Sequence, residues 1–143
     1  MDNLETLLEV GLGFTADMEK PGGFIGKEAV LKQKVEFKEK KGLKRRLVQV
    51  LCTDPEPQMY QAEIIRRNGV VVGDVRVGSY AHTLGGAVGL AMITAEDVDG
   101  IDGVVNKKYI ESGDWSVEIA SKLFPIKVSL QPMYDPKNAK IKC

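Results

Sequence analysis

The sequence predicts a mainly β chain with a short α/β amino-terminal part: one helix, then six short strands forming a small antiparallel barrel or sandwich. Three observations predict it. Apolar residues alternate with polar ones in short runs from residue 43 onward, the period of half-buried strands. Turn signals separate those runs, Asn68-Gly69 being the strongest, because both central residues of a type I′ hairpin turn need positive φ. Upstream of all the strands, Lys27 to Lys41 lacks Gly and Pro and spaces its apolar residues as a helix does.

In chain order, residues 1–26 are apolar at Leu4, Leu7, Leu8 and Val10, then turn-rich from Gly11-Leu-Gly-Phe14 through Pro21-Gly-Gly23. The helix after them has Val30, Leu31 and Val35 as its apolar residues. Its Glu28–Lys32 and Glu36–Lys40 pairs stand four residues apart, each worth only about 0.2–0.5 kcal/mol. Packing of the apolar stripe must therefore supply most of its stability. Gly42 is the expected C-cap glycine. The strands are expected at Leu43–Leu51, Tyr60–Arg67, Val70–Val77, Ala87–Ile93, Asp114–Ala120 and Phe124–Leu130. In the first, Leu43, Arg45, Leu47 and Leu51 fall on one face, which predicts a partly buried Arg45. Residues 1–41 are read as the end of one module and 42–143 as a small β domain.

Composition narrows the function. The 143 residues hold twenty Lys+Arg against twenty Asp+Glu, a balance that argues against a dedicated nucleic-acid binder. No apolar run reaches the roughly 18 residues of a membrane span. Cys52 lies in an apolar run and reads as a small buried hydrophobe, and neither it nor Cys143 has metal-ligand spacing to a partner. Glu96, Asp97, Asp99 and Asp102 do not follow the spacing of a calcium loop and read as a solvated loop. Gly11-Leu-Gly-Phe lacks the third glycine of a dinucleotide fingerprint, and Gly85-Gly86 reads as a turn. His82 is the only histidine, and no orienting partner for a general base is evident beside it, so a surface or structural role is expected.

Basic residues gather at Lys44-Arg45-Arg46, Arg66-Arg67 and Arg76. They form either a solvated strand face or an anion site, since the guanidinium fork matches carboxylates.

The ordered set Gly11-Leu-Gly-Phe14, Lys20-Pro-Gly-Gly-Phe-Ile-Gly-Lys-Glu-Ala29, Gly42-Leu-Lys-Arg-Arg-Leu-Val48, Arg66-Arg-Asn-Gly-Val-Val-Val-Gly73 and Gly78-Ser-Tyr-Ala-His-Thr-Leu84 resembles the closing part of the glycine-cleavage T-protein, or aminomethyltransferase, superfamily. Gly113-Asp-Trp-Ser-Val-Glu-Ile119 and Pro132-Met-Tyr-Asp-Pro-Lys-Asn138 are most similar to its sarcosine dehydrogenase branch, with dimethylglycine dehydrogenases next. The resemblance implies a six-stranded T-protein-like carboxy-terminal barrel from 42 to 143, with residues 1–41 closing a folate-binding domain upstream. It implies a parent that demethylates sarcosine with FAD, passes the one-carbon unit to tetrahydrofolate, and resides in the mitochondrial matrix. The partners it implies are the upstream domains and the folate; neither nucleic acid nor membrane is among them. The family's flavin-linking and catalytic residues lie upstream, so this fragment alone is expected to be inactive, with no catalytic residue and no metal site. The family also has an arginine near folate in the strand matching Leu43–Val50, which implies Arg45 or Arg46, and an aromatic near its C terminus, which implies Tyr134. A stand-alone aminomethyltransferase and a non-catalytic relative resembling the regulatory subunit of pyruvate dehydrogenase phosphatase are the rival readings.

Overall fold

The computed structural model describes residues 4–96, 103–140 and 142. Six strands close an antiparallel barrel in the order β1-β4-β3-β2-β5-β6. They are β1 (Arg45–Cys52), β2 (Ile64–Arg67), β3 (Val70–Ala81), β4 (Gly86–Thr94), β5 (Trp115–Ile119) and β6 (Lys122–Ser129). The barrel alternative of the sequence reading is the observed one. Its interior holds the alternate residues of each strand, among them Val48 and Val50, Ile65, Val75, Ala91 and Ile93, Val117 and Ile126.

Local chemistry explains the hairpins. β2 and β3 meet through Asn68 and Gly69 with φ of 50° and 82°, the two positive angles of the expected turn. Asn68 also reaches β5: its Oδ1 accepts from the Asp114 N–H at 2.9 Å. β3 runs four residues past its expected end, to Ala81. It contains a bulge between Val75 and Val77. Gly85, at φ 74°, then turns the chain into β4, as a turn glycine should.

The interior is closed at one place by the segment before β2. Tyr60–Glu63, expected as strand, is irregular, with Ala62 at φ 70° and Tyr60 exposed. Met59 instead is buried inside the barrel. Glycines make room for it: a Cβ on Gly78 would lie 2.3 Å from the Met59 carbonyl oxygen, and one on Gly89 would lie 2.7 Å from its sulfur. Cys52 is buried as expected, and burial pushes its thiol up.

A short helix that the sequence reading left unassigned, α2 (Lys107–Glu111), covers the β5 side. Asn106 starts it, accepting the Tyr109 N–H at 2.9 Å. It brings Tyr109 edge-on to Trp115, whose indole N–H donates to the Ile110 carbonyl at 2.9 Å. The acidic residues Asp97, Asp99 and Asp102 lie outside the described residues, as does Cys143.

The helix expected upstream is α1 (Lys27–Lys40), with the Glu36–Lys40 pair formed at 3.2 Å. It ends one residue earlier than expected. Lys41, not Gly42, takes the left-handed angle, at φ 55°. Gly42 serves a close approach, since a Cβ there would lie 3.0 Å from the Val104 side chain and 3.1 Å from the Val105 carbonyl oxygen. The stripe that should stabilise α1 does not do so here: no residue of the helix is buried.

Candidate functional site: the arginine recess on the first strand

β1 pairs with β6 only from Gln49 to Cys52, leaving the first residues of one edge uncovered. The amino-terminal arm covers them, the Leu47 N–H donating to the Glu9 carbonyl at 2.8 Å. The arm is held as one helical turn by a capping box. The Glu9 carboxylate accepts from the Thr6 N–H and hydroxyl at 2.9 and 3.0 Å, and the Glu9 N–H donates back to the Thr6 hydroxyl. The arm is further tied to β3, where Arg76 meets the buried Glu5 carboxylate at 3.3 Å.

This arrangement decides which arginine is sheltered. The inward residues of β1 are Val48, Val50 and Cys52, so the inward position before them is Arg46, opposite the core residue Ile93. Arg45 lies on the other face with Leu47, Gln49 and Leu51, opposite Thr94. Arg45 is half-buried, as expected, and Arg46 is half-buried as well, on the inward face. Leu47 and Leu51 are only half-buried, and Leu43 is buried by its own bridge to Val105 rather than by the face it shares with Arg45.

Arg46 lines a recess of about 250 Å³ with Leu8, Gly11, Gly13, Phe14 and Phe37. Its guanidinium lies over the Phe37 ring, 5.7 Å from the centroid. Its Nε is buried with no hydrogen-bond partner among the described residues. Burial lowers the Arg46 pKa from its ordinary value, the desolvation of a cation not offset by a carboxylate. A half-buried guanidinium with no carboxylate against it among the described residues can hold an anion.

Arg66, Arg67 and Arg76 are occupied within the fold. Arg66 holds Glu118 through two N–H donors at 2.9 and 2.7 Å, and donates to the Gly69 carbonyl. Arg67 stacks on Tyr109 at 4.1 Å and donates to Ser112. These two are half-buried and paired within the fold rather than a solvated strand face. Tyr134 is half-exposed, its hydroxyl accepting from Lys140 at 3.1 Å. The neighbouring Met133 N–H donates to Gln49, on the Arg45 face, and Tyr134 does not line the recess. The structure thus does not gather Arg45, Arg46 and Tyr134 into one site. His82 is exposed on the turn after β3, its ring T-shaped to that of Tyr80 with centroids 5.2 Å apart. Among the described residues no three His, Cys, Asp or Glu side chains are grouped to hold a metal, and no helix is long and apolar enough to cross a membrane.

Residues 45–135 match the Glycine cleavage T-protein C-terminal barrel domain, which is most of the chain. The chain belongs to that family. It is 40% identical over 132 residues to 4-methylaminobutanoate oxidase (formaldehyde-forming) of Paenarthrobacter nicotinovorans, covering 92% of this chain and 14% of that protein. It is 33% identical over 135 residues to the mitochondrial sarcosine dehydrogenase of Homo sapiens, covering 94% of this chain and 14% of that one. The crystal structure of the glycine cleavage system aminomethyltransferase T from Bartonella henselae superposes with a TM-score of 0.63 at 18% identity, over 92% of this chain and 32% of its own. That last likeness shows the shared fold. The chain therefore spans about one seventh of the length of these two relatives.

The residues around Arg46 were partly hidden from sequence reasoning. Phe14 and Phe37 carry no local pattern pointing to β1. Thr6-Leu-Leu-Glu9, in contrast, is a capping-box spacing readable from the sequence.

Proposed function

We propose that this barrel forms one wall of a tetrahydrofolate site in a longer flavoenzyme. That enzyme oxidatively demethylates an N-methyl amino acid, with sarcosine the substrate read from the sequence, and transfers the one-carbon unit to the folate. Three things support the reading: membership of the T-protein barrel family, two relatives named for N-methyl amino acids, and Arg46. The observation that carries it is the buried, unpartnered Nε of Arg46 in its recess. On this reading residues 1–41 close the preceding folate domain and 42–143 are the barrel domain. The location is mitochondrial, as the name of the human relative states for that protein.

The residues fit part of a folate. A recess of about 250 Å³, with one guanidinium and two aromatic rings, suits a glutamate carboxylate rather than the whole molecule. Arg46 would bind and orient that carboxylate, with Phe37 fixing the guanidinium plane. The bound folate supplies the acceptor for the one-carbon unit. Gly11-Leu-Gly-Phe14 does not fit FAD: Gly13 and Phe14 lie in a 3₁₀ turn rather than between a strand and a helix, so no phosphate cradle forms there. The 143-residue chain by itself accordingly oxidises no amine and has no flavin absorption band.

The test is a titration of the full-length polypeptide with folate polyglutamates. A sheltered charge-assisted hydrogen bond is worth about 1.5–3 kcal/mol, so Arg46→Ala should raise Kd roughly ten- to hundred-fold. Arg45→Ala, on the outward face of β1, and Tyr134→Phe, at a half-exposed ring, should change it by less than about threefold. The Arg46 effect should shrink as salt is added. Wild-type affinity in Arg46→Ala would return Arg46 to the role of a structural cation over Phe37.

A further inference from the structure

The Arg46 recess is walled by three segments far apart in the chain: the arm at Leu8, Gly11, Gly13 and Phe14, α1 at Phe37, and β1 at Arg46 itself. Its shape therefore depends on where the arm lies against the barrel. Val10, 8% exposed, holds the arm by apolar adhesion, which has no direction and permits sliding. The Leu47–Glu9 backbone bond and the Glu5–Arg76 ion pair instead fix one position. The Glu5 side chain is only 1% exposed, and a charge so sheltered needs its counter-charge close by. Sliding the docked arm would part Glu5 from Arg76 and is therefore costly.

The strand geometry aims Arg76 at this task. Val75 pairs with Ala91 and Val77 with Leu90, adjacent positions on β4, so Arg76 is the extra residue of the β3 bulge. A bulge re-aims its side chain, here onto the arm, while Asp74 at 3.6 Å steadies the guanidinium from the strand itself. On the arm, the capping box makes Thr6 to Glu9 one stiff turn, so a fixed Glu5 at its start also fixes Leu8 and the entry to Gly11. We infer that Arg76 is a positioning residue for the recess: through Glu5 it sets the arm as the wall that shelters Arg46, although it does not line the recess itself. The inference rests on the reading of the recess as a folate site for its ligand, but not for the position of the arm.

The test uses the full-length polypeptide with Arg76→Glu, Glu5→Arg, and the two combined as an exchanged pair. Two quantities are measured: the rate at which phenylglyoxal modifies Arg46 in the absence of folate, read by peptide mapping, and Kd for folate polyglutamate. Each single substitution sets like charges against one another, so the arm should lift, Arg46 should be modified at least about fivefold faster, and Kd should rise at least about fivefold. The exchanged pair restores the attraction and should bring both quantities back to within about twofold of wild type. Glu5 lies outside the barrel strands, so Glu5→Arg leaves the barrel to fold. Unchanged modification of Arg46 in Glu5→Arg would overturn the inference. So would an exchanged pair as impaired as Arg76→Glu, which would mean that the charge of Arg76 acts directly and not through the arm. Faster modification with an unchanged Kd would uphold the positioning role and contradict the folate reading instead, which Arg46→Ala reports separately.

Discussion

Trp115→Ala is expected to destabilise the barrel by about 3–5 kcal/mol, the cost of removing a large buried aromatic. Trp115 is 8% exposed and sits in β5 opposite Arg67 of β2. Three contacts end with it: the ring edge against Tyr109 at 5.9 Å, the Arg67 guanidinium over its face at 5.9 Å, and the indole donor to Ile110. The last tethers α2, so its loss also leaves the Ile110 carbonyl without that donor. Trp115→Phe keeps most of the area and loses the hydrogen bond, which is worth about 1 kcal/mol net. Urea unfolding of the three proteins should order them wild type, Phe, Ala. An Ala variant within about 1 kcal/mol of wild type would mean that α2 does not lean on this ring.

Gly78→Ala should cost about 1–3 kcal/mol or more, although it adds one methyl group. Its Cβ would lie 2.3 Å from the Met59 carbonyl oxygen and 2.8 Å from the carbonyl carbon, closer than any real contact. The obstacle is backbone, so shortening the Met59 side chain offers no relief. Gly78→Ala with Met59→Ala should be less stable than either single variant. Gly89→Ala differs, because its nearest neighbour is the Met59 sulfur at 2.7 Å, the end of a flexible side chain. There Met59→Ala should recover part of the loss. A double-mutant cycle distinguishes the two glycines. Equal rescue at both would show that the backbone of residue 59 moves freely, and that it does not plug the barrel.

The parts of this fold legible in the sequence were the local ones. Asn68-Gly69 fixes a hairpin by its own backbone preference, and the alternation of Trp115 and Val117 matches the buried positions of β5. Tyr60–Glu63 alternates as a strand should, yet the burial of Met59 among distant glycines overrides it. In β1 the difficulty was different. Leu47, Val48, Val50 and Leu51 make both faces apolar, so periodicity could not say whether Arg45 or Arg46 turns inward. The pairing of Arg46 with Ile93 across β4 decides it, and that partner lies 47 positions away. The same distance hid the recess, since Phe14, Phe37 and Arg46 meet only after the arm and α1 have folded onto the β1 edge. α2 was missed because five residues are too few to show a period.

The central claim, that Arg46 serves the folate side of an N-methyl amino acid oxidation, meets its most direct measurement in the fate of the one-carbon unit. Full-length wild type and Arg46→Ala are supplied with sarcosine and a limiting concentration of tetrahydrofolate polyglutamate, and free formaldehyde is measured against methylene-tetrahydrofolate. The account predicts that both oxidise amine at the same rate, while Arg46→Ala releases at least several-fold more of the carbon as free formaldehyde. Saturating folate should return its product ratio to that of wild type. An unchanged ratio at limiting folate, or a fall in amine oxidation equal to the fall in transfer, would contradict it.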